Sequence, residues 1–138
     1  MARLNANPNA EASVEFEVVA PGVYRMRVES IEEFVAQSGS TCWRTRMTYV
    51  DPSSLTKEDG TPCSNAGGII DSGLVASPAE KQGKLRSFVE ACGMAWADLD
   101  SEDLIGCELD VKVGTDEWQG NRKNVASRYL KPQLAGSM

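Results

Sequence analysis

Residues 77–93 read Ser77-Pro78-Ala79-Glu80-Lys81-Gln82-Gly83-Lys84-Leu85-Arg86-Ser87-Phe88-Val89-Glu90-Ala91-Cys92-Gly93. This is the strongest helix signal in the chain. Ser77 can cap, Pro78 suits the first helical position and Glu80 completes a capping box. Leu85, Phe88, Val89 and Cys92 recur at helical spacing and make one apolar stripe, and Gly93 supplies a stop. Lys81, Lys84 and Arg86 lie off the stripe. A second short helical turn is expected over residues 98–105.

Everything around this helix reads as strand. On its N-terminal side, Val23 to Val35 alternates Tyr24, Met26 and Val28 with Arg25, Arg27 and Glu29, the period of a half-buried strand. A turn at Ser38-Gly39-Ser40 leads into Thr41 to Val50, rich in β-branched and aromatic residues. By parity Trp43, Thr45, Met47 and Tyr49 share one face, and Cys42, Arg44, Arg46 and Thr48 the other. Residues 51–68 contain Pro52, Gly60, Pro62 and Gly67-Gly68 and read as a long mobile loop. Ile69 to Val75 is a short third strand, and Phe16 to Val19 is a candidate short strand before the first. After the helix, Gly106 to Gly114 alternates Cys107, Leu109, Val111 and Val113 with Glu108, Asp110 and Lys112. Trp118 to Asn121 lies near a turn, and Lys123 to Leu130 is the last strand, ended by Pro132.

Three strands, a helix and two strands is the order of an OB-fold: a mostly β, five-stranded Greek-key barrel with one helix between strands three and four. A small α+β sandwich has the same element count. The expected organisation is a flexible N-terminal arm over 1–15, one OB-fold-like domain over 16–132, and a short tail over 133–138.

At 138 residues the chain can bury a sizeable core, and 41% hydrophobic with 25% charged residues places it among globular domains. No apolar run approaches the ~20 residues that span a bilayer, and the start does not resemble a signal peptide, so a cytoplasmic protein is expected. Histidine is absent, which removes Ser-His-Asp, Cys-His and His-based zinc chemistry. Cys42, Cys63, Cys92 and Cys107 form no Cys-x-x-Cys pair and read as reduced, mostly buried thiols rather than a zinc site or two disulfides. Asp98, Asp100, Glu102 and Asp103 lack the glycine and final glutamate of a calcium loop and read as a solvated helix start. No phosphate loop, nucleophile elbow or paired-carboxylate motif is present. No catalytic residue, metal ligand or cofactor is therefore expected.

The net charge is −6, but it is segregated. Residues 90–117 carry nine acids against Lys112 alone, whereas 118–138 carry Arg122, Lys123, Arg128 and Lys131 and no acid. A cationic terminal hairpin on an acidic chain suggests a face turned to a polyanion, although a solvated acidic surface beside a basic strand gives the same pattern. Arg25 and Arg27, and Arg44 and Arg46, are each spaced by two, so a hairpin of the first two strands can gather four guanidiniums on one surface. The competing arrangement pairs them with Glu29, Glu108 or Asp110. Trp118 at the turn is a candidate stacking platform or a cover over an apolar edge. Tyr129 beside Arg128 suits either platform or core, and Trp43 and Trp96 suit the core. The candidate nucleic-acid-binding set is Arg25, Arg27, Arg44, Arg46, Trp118, Arg122, Lys123, Arg128 and Tyr129.

Pro21-Gly22-Val23-Tyr24, the helix ending at Ala91-Cys92-Gly93, the run Asp103-Leu104-Ile105-Gly106-Cys107-Glu108-Leu109-Asp110-Val111, and Gly120-Asn121-Arg122-Lys123-Asn124-Val125 together resemble a family of small phage proteins related to phage single-stranded-DNA-binding proteins. The resemblance covers roughly residues 16–132. It implies an OB-fold and single-stranded DNA as partner during phage replication or recombination, in the cytoplasm of the infected host cell. It also implies replication or recombination proteins as further partners. Homo-oligomerisation is left open, and no membrane partner is implied. Such binders often end in an acidic tail that recruits other replication proteins. Here the end is Leu130-Lys131-Pro132-Gln133-Leu134-Ala135-Gly136-Ser137-Met138, without an acid. Recruitment then falls to the acidic stretch 98–117, or the protein is instead a virion component, such as a capsid-decorating or interaction module.

Overall fold

The computed structural model describes residues 2–9 and 16–130, and of Trp118 the backbone alone. The expected tail and most of the C-terminal half of the expected arm therefore lie outside the described residues. The fold is mostly β. Five antiparallel strands form one sheet: β1 (Gly22–Val35), β2 (Thr41–Tyr49), β3 (Ile69–Ser77), β4 (Glu108–Trp118) and β5 (Asn121–Leu130), in the order β3-β2-β1-β4-β5. One α-helix, α1 (Gly83–Ala91), lies between β3 and β4. This is the expected element order, in one sheet rather than the two layers of a sandwich.

The sheet curls because β1 is shared. Its first half, Gly22 to Arg27, pairs with β4, while Met26 to Val35 pairs with β2. A register shift between Val28 and Ser30 bends the strand between its two partners. Before the bulge the alternation is strict: Met26 and Val28 are buried and Arg25, Arg27 and Glu29 exposed. On β4, Leu109, Val111 and Val113 continue the same buried face. The β4–β5 hairpin turns on two residues, Gln119 and Gly120, both with positive φ (51° and 81°), which matches the twist of the flanking strands.

No hydrogen-bonded ladder joins the edges β3 and β5 among the described residues; side chains and α1 bridge them instead. Leu85, Phe88 and Val89 bury the helical stripe, and the Phe88 and Tyr129 rings meet edge to face at 5.1 Å. Asp71 on β3 is 8% exposed. Its carboxylate accepts the Tyr129 hydroxyl of β5 (2.5 Å), the Gly73 N–H (2.8 Å) and the Lys84 ammonium of α1 (3.0 Å). Lys84 also donates to the Ala126 carbonyl of β5 (3.4 Å).

The helix begins later than its sequence suggests. Ser77 is the last residue of β3 and pairs with Thr41, so it cannot cap. Pro78 follows, then a 3-10 turn at Ala79–Lys81. The Gln82 side chain donates to the Ala76 carbonyl (2.6 Å), and α1 starts at Gly83 without a side-chain cap. The C-terminus is as expected: Gly93 has φ 84°, Gly93 N–H reaches the Glu90 carbonyl and Met94 N–H the Val89 carbonyl. Phe16 to Val19 makes isolated bridges, Glu17 to Ala66 and Val19 to Lys57, instead of a strand. The acidic stretch after α1 forms a 3-10 turn at Ser101–Leu104, closed by a reciprocal Asp100–Asp103 capping box. Trp43 and Trp96 pack half-buried against the core, and all four cysteines are free thiols. Among the described residues no helix is long and apolar enough to cross a membrane.

Tyr129→Phe removes the hydroxyl that bridges the seam while keeping the ring against Phe88. The expected cost is about 1.5–3 kcal/mol, the range for a hydrogen bond to a charged group, measured as a lower urea midpoint with an unchanged slope. A loss below ~0.5 kcal/mol would mean that Lys84 and Gly73 satisfy Asp71 alone.

Candidate nucleic-acid interface

The outward residues of β2 and β3 form the floor of the candidate site. Arg44 and Arg46 project from one face of β2, ~6.6 Å apart along the strand. Across the ladder Arg46 sits opposite Ile70, which is 59% exposed, and the Arg44 Nε donates to the Ser72 hydroxyl (3.2 Å). Arg44 is further held by Glu32 (3.7 Å) and lies over the Phe34 ring at 4.6 Å.

One wall is a strap, residues 16–20, laid between the long loop and β5. Glu17 N–H donates to the Asn65 carbonyl (2.8 Å) and Ala20 N–H to the Thr56 carbonyl (2.9 Å). On the other side the Asn124 amide acts as a one-residue strand partner. Its Oδ1 accepts the Val19 N–H (2.8 Å), while its Nδ2 donates to the Val19 carbonyl (2.8 Å) and the Gly114 carbonyl (3.2 Å). Glu17 is bound by Lys57 (3.2 Å) and by the Ser64 hydroxyl and N–H. These partners, the Ser64 hydroxyl above all, hold its carboxyl below the usual range.

The second wall is the start of β5. Arg46, Ile70, Phe16, Arg122, Lys123 and Asn124 line one concavity together with Gly67 and Gly68. Phe16 is 54% exposed. The loop that carries the glycines presses against β2: a Cβ at Gly68 (φ 78°) would stand 2.4 Å from the Met47 carbonyl oxygen.

The sequence candidates divide by their partners. Arg25 pairs with Asp110 (3.0 Å) and Arg27 with Glu108 (3.1 Å), so the competing arrangement holds for both. Arg122 is gripped by Glu58, Nε to Oε1 at 2.6 Å and Nη2 to Oε2 at 2.7 Å, with Thr115 (3.0 Å) and Glu117 (3.6 Å) beside it. The grip lowers the Glu58 carboxyl below its usual range and raises the guanidinium. Arg46 and Lys123 carry no ion pair among the described residues, and they meet in the concavity. Arg128 likewise has no ion pair but does not join them. It stands five residues from Lys123, ~17 Å along β5, beside Lys84 and Ser87 of α1.

Tyr129 is a correction. It is 6% exposed, its hydroxyl is committed to Asp71, and burial pushes its phenol well above the usual value, so it offers no face for stacking. The Trp118 side chain, the other candidate platform, lies outside the described residues. Phe16, Asn124, Ile70 and Glu58 enter the site without having been singled out in the sequence. The Gly67-Gly68 pair before a strand was the available signal, since paired glycines mark close backbone approach. Among the described residues no group of three or more Cys, Asp or Glu side chains is placed to hold a metal ion.

Asn124→Ala orphans the Val19 N–H and carbonyl, and Val19 is fully buried. We expect a stability loss of about 1–3 kcal/mol together with faster amide hydrogen exchange at Val19. Unchanged exchange there would show that the strap is held from the loop side alone.

Compared with protein-family models and with curated protein sequences, the chain matches none.

Proposed function

We propose that this protein is a non-catalytic single-stranded DNA-binding protein of a phage, acting in replication or recombination in the cytoplasm of the infected host cell. One observation carries the reading. Arg46 and Lys123, without carboxylate partners among the described residues, flank the exposed Phe16 on the outer β2–β3 face beside the β4–β5 hairpin. That is the face on which five-stranded barrels of this kind take oligonucleotides. Guanidinium and ammonium groups meet backbone phosphates, and apolar surface between them receives bases. The resemblance of residues 16–132 to phage single-strand binders supports the same conclusion. The net charge of −6 does not oppose it, because exposed charges beyond ~8–10 Å are screened at moderate salt.

A titration of fluorescent oligo-dT tests the reading. Binding is expected at low salt and is expected to weaken as salt rises, each neutralised phosphate contributing ~0.7 to the logarithmic slope. Arg46→Ala and Lys123→Ala are each expected to reduce that slope by ~0.7. Arg25→Ala and Arg27→Ala, whose guanidiniums carry carboxylate partners, should change it less. No binding at low salt removes the proposal.

Glu58→Gln releases Arg122 towards the same concavity and deletes a negative charge. An increase of about threefold in oligo-dT affinity is expected, the scale of one exposed charge pair; an unchanged or lower affinity would place Arg122 outside the interface.

A second reading draws on the pairing of Arg25, Arg27 and Arg44 with carboxylates, which leaves much of the outer face zwitterionic. Such a face suits a protein partner, and a capsid-decorating role follows if the protein is recovered in purified virions.

A further inference from the structure

The Phe16 ring is seated in an unusual way. A Cβ built at Gly67 would stand 2.4 Å from the Phe16 Cγ and 2.6 Å from its Cδ2. The ring therefore lies on the bare backbone of Gly67, in space that any other residue would fill. One side of the ring is used by this contact, yet half of the residue remains exposed. A phenylalanine placed merely to fill the core would be covered, as Phe88 is. The strap that carries it is pinned on both sides, by the Asn65 carbonyl and by the Asn124 amide, so the backbone next to the ring is held before any ligand arrives. Arg46 and Lys123 line the same concavity. The acidic residue in that concavity, Glu17, is occupied by Lys57 and Ser64.

We infer that Phe16, backed by Gly67, is a nucleobase-stacking seat, with Arg46 and Lys123 meeting the phosphates beside the stacked base. The inference rests on the single-stranded DNA reading above and deepens it. A base in a duplex has both faces covered by its neighbours, so the seat takes an unpaired base and selects single strands over duplex. Stacking on an aromatic face is tolerant of base identity, which suits a binder that coats any sequence.

The test measures anisotropy for oligo-dT, for a fully abasic oligonucleotide of the same length and for a duplex, with the wild-type chain, Phe16→Ala, Phe16→Tyr and Gly67→Ala. Phe16→Ala is expected to weaken oligo-dT binding about tenfold or more without changing the salt slope, because no phosphate contact is lost. Phe16→Tyr should bind within about twofold of wild type, since its ring still stacks. Gly67→Ala should weaken binding like Phe16→Ala, because its methyl group displaces the ring. The abasic strand should bind the wild-type chain and Phe16→Ala equally. Thermal melting of each variant shows whether it is folded, and Phe16, being half exposed, can be truncated without opening a core cavity. Equal oligo-dT binding by folded wild type and Phe16→Ala overturns the seat, as does an equal loss for oligo-dT and the abasic strand. Saturation by thymidine monophosphate with no preference for the oligomer would assign the seat to free nucleotides and also overturn it. Failure of the wild-type chain to bind any oligonucleotide would instead remove the proposed function itself.

Discussion

Among the described residues the two edges of the single sheet share no backbone ladder, and what bridges them is the Asp71 carboxylate. It sits on β3, accepts the Tyr129 hydroxyl from β5, and draws in Lys84 from α1. A carboxylate removed this far from water is costly unless its lone pairs are filled. Tyr129, Lys84 and the Gly73 N–H fill them. The arrangement fixes three elements at once: the edge of β3, the end of β5 and the N-terminal turn of α1. Phe88 and Tyr129 then pack edge to face beneath it. Because β2 is laddered to β3 and β4 to β5, closing this seam also sets how far the β2–β3 face stands from the β4–β5 hairpin. The candidate site lies between those two surfaces and takes its width from that closure.

The charge of the molecule is organised by the same sheet. Carboxylates of β4 lie directly across from β1, so Arg25 meets Asp110 and Arg27 meets Glu108 along a ladder that fixes their register. Exposed pairs of this kind add little stability, but they remove cations from use. Elsewhere on the sheet two cations form no ion pair among the described residues: Arg46 faces Ile70 on β3, and Lys123 stands across the ladder from Asp116 on β4. A chain with an excess of acid can thus present a small cationic surface, because what a phosphate meets within a few ångströms is decided by register and not by net charge.

How much of this was legible in the sequence follows from the range of each interaction. The strands were readable because burial alternates with period two, as at Met26 and Val28 against Arg25 and Arg27. The C-terminus of α1 was readable because Gly93 acts locally. Its start was not: the motif from Ser77 to Glu80 is a valid local cap, but the ladder from Thr41 claims Ser77 for β3. The bulge after Val28 has no residue signature, although it bends β1 between its two partners. In the site, the cationic residue types were visible while their availability was not. Glu58 and Arg122 lie 64 positions apart and Arg27 and Glu108 81 apart, so only the folded sheet separates bound from unbound cations. Tyr129 was ambiguous for the same reason, its partner being 58 residues away.

The strap shows how the two levels join. Residues 16–20 have no strand of their own, and their backbone groups are satisfied by fragments: a carbonyl from Asn65, another from Thr56, and an amide side chain from Asn124. Buried backbone groups need such partners wherever they are. Asn124 can supply both donor and acceptor to Val19, which neither aspartate nor a hydroxyl residue could do in the same geometry. Its position on β5 is set by pairing with Thr115 on β4. The exposed ring of Phe16 therefore depends on a chain of constraints running from the β4–β5 ladder through one amide to the strap. Gly67 completes the chain by leaving room beneath the ring. A surface residue held by that many distant contacts is positioned rather than merely exposed, and this positioning distinguishes Phe16 from Val23 and Val35, exposed apolar side chains of the sheet.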